Sequence, residues 1–193
     1  MSIEPPLPNQ IEVDDEVVLR RVYETSPELM HDLIHRNLDH LGEFLVWAKP
    51  DYTLDGVKQF LAATKESSNV SGEQGYSIWY RGELAGAIGV GGFESEVKAV
   101  AIGYWLSAHL QGNGIMTRSA RAIVELSFAK QGMNHVIIRA APSNTRSRAI
   151  PQRLGFKETG VERQMSLNAR GEYLDLITYS LLRSEWEEQS SNL

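Results

Sequence analysis

The chain has 193 residues and a mass of 21.6 kDa, which at the usual ~150 residues per domain is one domain able to bury its own core. Its composition, 42% hydrophobic and 23% charged, excludes a collagen-like or wholly disordered chain. The absence of cysteine excludes disulfides, thiolate metal sites and a cysteine nucleophile, and a net charge of −6 excludes a chain that is basic throughout and binds nucleic acid that way.

The opening residues have no basic segment followed by an apolar one, so no signal peptide is expected. No run approaches ~18 apolar residues, so no membrane span is expected and the cytoplasm is the simplest location. Residues 1–12, rich in proline, read as a flexible arm. Val17, Val18 and Leu19 predict a short strand over about 16–22. Ser26 before Pro27 marks a helix start, a capping hydroxyl followed by proline at the first helical position. Leu29, Met30, Leu33, Ile34, Leu38 and Leu41 then recur at helical spacing. Thr53 or Asp55 opens a second helix carrying Val57, Phe60 and Leu61, and residues 66–75 read as a polar loop.

Strands dominate next. Residues 76–80 and 84–91 predict a hairpin around Arg81-Gly82-Glu83, and 97–106 a further strand. Residues 113–131 predict a long helix closed by Gly132. A strand over 135–141, a short helix over 144–154 and a hairpin of 158–167 with 173–182 complete the domain, taken as 13–185. Residues 186–193 read as a polar tail that frays. The order predicts one α+β domain with a mixed sheet, and a ligand site at the strand ends of its β-α-β-α-β half.

The most informative segment is the strand into Gly112-Asn113-Gly114 and the helix it opens. Two glycines allow backbone N–H groups to converge, and the helix N-terminus adds about half a positive charge, a pairing suited to a pyrophosphate. No lysine follows Gly114, so this is not a P-loop, and the spacing is not G-x-G-x-x-G. A tight turn shaped by glycine alone gives the same pattern. Arg118, Arg121 and Glu125 share a stripe of the helix, a solvated face in which Arg118 is near enough to the first turn to reach a phosphate. His31-Asp32-Leu33-Ile34-His35 comes close to the H-E-x-x-H zinc pattern, but His40 lies around the helix from it, so two solvated histidines and no metal are expected.

Taken together the motifs resemble a family. Gln111-Gly112-Asn113-Gly114 looks like the Q/R-x-x-G-x-G/A motif of GNAT acetyltransferases, and Asn144-x-x-Ser147 followed by Leu154-Gly155-Phe156 looks like the next. The runs IGYWL, QGNGIMT and GEYLDLITYSLL resemble the RimJ/RimL-type branch, over about residues 16–183. The resemblance implies a twisted sheet of about seven strands, four to five helices and a splayed parallel pair matching 100–106 and 135–141. It implies acetyl-CoA as co-substrate, with pantetheine between the splayed strands against Trp105 and Leu106. The pyrophosphate would rest on Gln111, Gly112, Asn113, Gly114, Ile115, Met116 and Thr117. Asn144 would bond the pantetheine arm, and Ser147 would lie near the thioester sulfur.

The sequence departs from the family pattern in four places. Met116 replaces a small residue, and Pro151 stands where many members carry a tyrosine general acid, leaving Ser147 as the proton donor to the thiolate. Ala101 and Thr159 stand where branch members carry glutamates, leaving Glu94, Glu96 and Glu158 as base or water-positioning candidates. Glu43 and Trp47 fall in the segment that walls the family's acceptor site. Tyr104 also belongs to the expected acceptor site, and it and Trp105 alternate along the strand, so one is expected toward the site and one toward the core.

An α-amine, with pKa ~7.7–8.0, needs less of a base than a lysine at ~10.4. The resemblance therefore implies transfer of acetyl to an amine, foremost a protein N-terminus of ribosomal-protein type. The alternatives are a small amine such as an antibiotic or polyamine, or a non-catalytic acyl-CoA-binding module. No direct nucleic-acid or membrane binding is expected, and the chain is expected as monomer or homodimer.

Overall fold

Alternation along the strands decides which face meets the core: in the segment Val17–Arg21, Val17, Leu19 and Arg21 are buried while Arg20 is exposed. The computed structural model describes residues 7–70 and 73–191. The strands are β1 (Gln10–Glu12), β2 (Val17–Arg21), β3 (Gln74–Tyr80), β4 (Glu83–Glu94), β5 (Ala99–Leu106), β6 (His135–Ala140), β7 (Lys157–Leu167) and β8 (Tyr173–Leu182). The helices are α1 (Pro27–His35), α2 (Leu38–Gly42), α3 (Leu54–Val70), α4 (Ile115–Ala129), α5 (Thr145–Arg153) and α6 (Arg183–Ser191). One eight-stranded sheet runs in the order β1-β2-β3-β4-β5-β6-β8-β7. Its neighbours are antiparallel except β5 and β6, which are parallel.

This is the expected α+β fold with its parallel pair, carrying one strand and one helix more than expected among the described residues. The extra strand, β1, lies in the stretch read as a flexible arm. Arg21 explains its order. Its buried guanidinium donates to the Leu7 carbonyl (2.6 Å) and to Gln74 Oε1 (3.0 Å), and its backbone N–H donates to the Asn9 carbonyl (3.1 Å). Leu7 is itself buried in the core. Residues 1–6 lie outside the described residues.

Three other boundaries differ from the sequence reading. The polar run from 66 is the last part of α3, because nothing after Gly56 in it breaks a helix. Residues 71 and 72 of that expected loop lie outside the described residues. The long apolar periodicity of 29–41 is two helices, interrupted at Asn37, a buried residue whose side chain has other partners. The tail read as fraying is α6 up to Ser191, held by Trp186 packed at 6.2 Å from Phe128.

Other readings hold. Ser26 Oγ accepts from the Leu29 N–H with Pro27 at the first helical position, and Thr53 Oγ1 accepts from the Gly56 N–H to start α3. The core lies between the sheet and α4, whose Ile115, Ala120, Ile123 and Val124 are fully covered. A second cluster, including Val22, Met30, Ile34, Val57 and Leu61, joins α1 and α3 to the sheet, with Trp105 packed against it.

The approach of β4 to the end of β5 is close. A Cβ at Gly86 would lie 2.2 Å from the Trp105 carbonyl oxygen and 2.9 Å from the Leu106 Cα, both backbone atoms that cannot turn aside. Gly86→Ala is therefore expected to destabilise the protein by about 1–3 kcal/mol, the range for forced overpacking. Thermal unfolding measures it, and an unchanged midpoint would contradict the close approach.

Candidate active site

The β5–β6 ladder runs from Ala99 opposite His135 to Ile102 opposite Ile138 and then stops, although both strands continue. Beyond that point β5 pairs only with β4, through Gly103, Tyr104, Trp105 and Leu106. One edge of residues 103–106 thus carries backbone donors and acceptors with no strand beside them. Such groups need partners when water is excluded, so an extended polar ligand fits there.

A cavity of about 580 Å³ opens along this gap. One end is the turn Gly112-Asn113-Gly114. Gly112 (φ 84°) and Gly114 (φ 69°) both adopt the left-handed conformation that glycine tolerates. A Cβ on either would meet nothing within 4 Å, so the space before them is open. The first bond of α4 runs from the Arg118 N–H to the Gly114 carbonyl (3.0 Å), leaving the N–H groups of Ile115, Met116 and Thr117 without helical acceptors. Their side chains serve differently: those of Ile115 and Met116 are buried in the core. With the helix dipole, these amides make an anion cradle.

Side chains finish this end. Gln111 lies between the Arg146 guanidinium, which donates to its Oε1, and His40, whose Nε2 is 2.7 Å from the Gln111 amide nitrogen. Arg118 lines the cavity, but its charge is taken up by Asp14 (2.6 Å) and Glu16 (3.3 Å). Burial pushes the Asp14 carboxyl up, yet the Glu16 and Val17 N–H groups and Arg118 outweigh it and hold it below its ordinary value. Arg118 is therefore a brace between the β1–β2 turn and α4 before it is a phosphate ligand. Asn113 does not line the cavity; its Nδ2 donates to the Leu110 carbonyl (3.1 Å) and shapes the turn.

The middle of the cavity is where β5 and α5 meet. Asn144 caps α5, its Oδ1 accepting from the Ser147 N–H (3.1 Å), so its Nδ2 is the group left for a ligand. The Tyr104 hydroxyl donates to the Ser147 carbonyl (3.1 Å), and Ser147 Oγ lies 3.5 Å from that hydroxyl. Burial pushes the Tyr104 phenol up to about 12, so it stays protonated near neutrality. Two hydroxyls thus stand together on the cavity wall.

A second cavity, of about 450 Å³, adjoins the first. The two share Leu45, Tyr104 and Trp105 as walls. Trp47 stands against Tyr52 (5.6 Å between centroids) and edge-on to Trp105 (6.2 Å). The expectation that one of Tyr104 and Trp105 faces the site and the other the core is replaced by a different arrangement: both line both cavities, while Tyr104 also packs on the main cluster and Trp105 on the second.

The carboxylates singled out in the sequence are not brought to this place. Glu94 pairs with Ala99, five residues and about 16 Å along β5 from Tyr104 at ~3.3 Å per residue. Glu96 lies in the exposed turn that follows, and Glu158 faces Arg148 at 3.9 Å. Glu43 is exposed and lines neither cavity; its neighbours Phe44 and Leu45 do. Among the described residues, neither cavity has an Asp or Glu in its lining. The rings of His31 and His35 stack at 4.1 Å, and His35 Nε2 bonds the Tyr52 carbonyl (2.7 Å) rather than standing solvated. Among the described residues no cluster of His, Asp and Glu suited to a metal forms.

Sequence reasoning missed two residues. Asn37 Oδ1 accepts from Ser107 Oγ (3.1 Å) and from the Ala108 N–H (2.8 Å), clamping the end of β5 to the junction of α1 and α2. Its signal is a polar residue at a position of the apolar stripe, four after Leu33, three after Ile34 and four before Leu41. His40, which the sequence offers only as a candidate metal ligand, is a wall of the first cavity.

Comparison with known proteins places this arrangement. The family model of the GNAT acetyltransferase domain matches residues 16–157. A Bacillus subtilis protein provisionally named ribosomal N-acetyltransferase YdaF is 30% identical over 177 residues, 91% of this chain and 96% of its own. The ribosomal-protein-serine acetyltransferase of Escherichia coli is 26% identical over 159 residues, 80% of this chain and 86% of its own. Among solved structures, RimL, the ribosomal L7/L12 α-N-protein acetyltransferase in complex with coenzyme A, is 25% identical with a TM-score of 0.83, covering 91% of this chain and 99% of that one. The chain belongs to the GNAT acetyltransferase family, in its RimJ/RimL-type branch, and is an N-acetyltransferase whose acetyl donor is acetyl-CoA.

Proposed function

We propose that the protein acetylates an α-amine at a protein N-terminus, with both substrates bound at once. The observation that carries this reading is the meeting of two cavities at the unpaired stretch 103–106: one ends in an anion cradle, and the other reaches the same wall from elsewhere. The ribosomal-protein relatives support the protein acceptor. A small amine is the second reading, favoured by a second cavity whose volume of about 450 Å³ falls in the range of small-ligand sites.

In this reading the amides of Ile115, Met116 and Thr117 hold the pyrophosphate, with Gln111, Gly112 and Gly114 giving it close access. Asn144 Nδ2 and the free edge of Trp105 and Leu106 hold the pantetheine arm. The amine nitrogen bonds to the thioester carbon, the carbon–sulfur bond breaks, and the sulfur leaves with a proton from Ser147 Oγ. The Tyr104 hydroxyl stands behind Ser147 and relays a proton from water back to it, so the proton the amine gives up balances the one the thiol takes. The proton lost by the amine goes to water, because among the described residues neither cavity offers a carboxylate. Holding the nitrogen beside the carbon supplies much of the acceleration.

Three outcomes are expected. Gly114→Val, which forces a side chain into the left-handed region and the open cradle, should weaken acetyl-CoA binding at least tenfold, about 1.4 kcal/mol, by calorimetry on the folded variant; unchanged affinity would remove the cradle. Ser147→Ala should lower kcat by about 10²-fold with little change in KM for acetyl-CoA, and Tyr104→Phe by less. The opposite ranking would make Tyr104 the donor. Finally, kcat/KM should rise with pH and level off near the acceptor amine's own pKa, moving as acceptors of different pKa are tried. An inflection fixed in the carboxylate range would show a dedicated base.

A further inference from the structure

The second cavity has a chemistry that its neighbour lacks. The first is lined by His40, Arg118, Arg146 and Arg153. Among the described residues, the second has no Asp, Glu, Lys, Arg or His in its lining. Its walls are aliphatic, from Met30 and Ile34, and aromatic, from Trp47, Tyr52, Phe60 and Trp105. Burial pushes the Tyr52 phenol up, so that hydroxyl too stays neutral. Whatever enters meets an uncharged, apolar surface, part aliphatic and part aromatic, that opens onto Tyr104 and Trp105, the wall shared with the donor cavity.

We propose that this cavity is the side-chain subsite of the acceptor, and that the acceptor is an amine carrying next to it an uncharged apolar group of leucine to tryptophan size. The inference rests on the acetyltransferase reading above and deepens it. The argument is one of desolvation. A polyamine or aminosugar placed here strips water from its remaining ammonium groups with no carboxylate in return, a cost larger than contact with aromatic faces repays. A serine hydroxyl or an acidic side chain loses its water with little gained. An aromatic or branched aliphatic group gains its full burial and, against Trp47 and Trp105, edge-to-face contact. The same surface favours an amine that enters uncharged, which suits a site with no carboxylate to take its proton. An apolar side chain beside an α-amine meets both conditions.

The test uses the whole protein with saturating acetyl-CoA, reading thiol release. One series is peptides identical but for the first residue: Phe, Leu, Ser, Asp and Lys. The other is small amines: phenylalaninamide, glycinamide and spermidine. The inference predicts kcat/KM at least tenfold higher for Phe and Leu than for Ser, Asp and Lys, and the same ordering of phenylalaninamide over glycinamide and spermidine wherever small amines are turned over. Phe60, 45% exposed at the cavity wall, allows a substitution that the fold tolerates. Phe60→Glu should cut the Phe-peptide rate at least tenfold, narrow its lead over the Lys-peptide, and leave acetyl-CoA affinity unchanged by calorimetry.

Equal or better turnover of Ser, Asp or Lys peptides or of spermidine overturns the inference and leaves the acetyltransferase reading standing. So does a Phe60→Glu protein with wild-type preference. Turnover of phenylalaninamide but of no peptide supports the apolar subsite and overturns the protein N-terminus as acceptor.

Discussion

Everything at the site depends on one interrupted ladder. Strands β5 and β6 pair as far as Ile102 and Ile138 and then part, so a parallel sheet edge is opened in the middle of the molecule instead of at its rim. A buried backbone group left without a partner costs about 1–3 kcal/mol. Closing the ladder would satisfy those groups and fill the gap along which the first cavity opens, so the fold must hold the strands apart. It does so from both sides. Gly86 lets β4 press against the end of β5, the Ser107 N–H donates to the Ala85 carbonyl (2.8 Å), and Asn37 clamps the following turn. On the other side the Tyr104 hydroxyl bonds the Ser147 carbonyl and sets α5 as a spacer.

Charge is divided along the same line. The chain carries a net charge of −6, yet the donor cavity is lined by three arginines and a histidine. Arg118 is tied to Asp14 and Glu16, and the amides of α4 carry the positive field at the cradle itself. Past Tyr104 and Trp105 the charge stops, and the second cavity presents rings and methyl groups. In the function proposed above, an anionic donor and an uncharged amine occupy two adjoining cavities, with their reacting atoms at the shared wall.

The parts legible in the sequence were local. Capping at Ser26, the hairpin around Gly82, the glycine turn at 112–114 and the short helix from about Asn144 all follow from short-range rules, and the structure has each of them. The illegible parts came from contacts between residues far apart. Arg21 orders the early chain through Leu7 and Gln74, and Asn37 reaches Ser107 across 70 residues. No periodicity encodes such a pairing. The glutamates at 94 and 96 were near in sequence to a strand that reaches the site, but they sit at its opposite end. Polarity also misled at α3 and α6, where a helix needs only one covered face, as Trp186 shows.

The most direct test of this account is a crystal structure of the protein with acetyl-CoA. The pantetheine should lie along residues 103–106 in place of the missing β6 edge, the pyrophosphate on the amides of Ile115, Met116 and Thr117, and the thioester carbon within reach of Ser147 and open to the second cavity. A donor bound elsewhere, or strands that zip together beyond Ile102 and Ile138 in the complex, would contradict it.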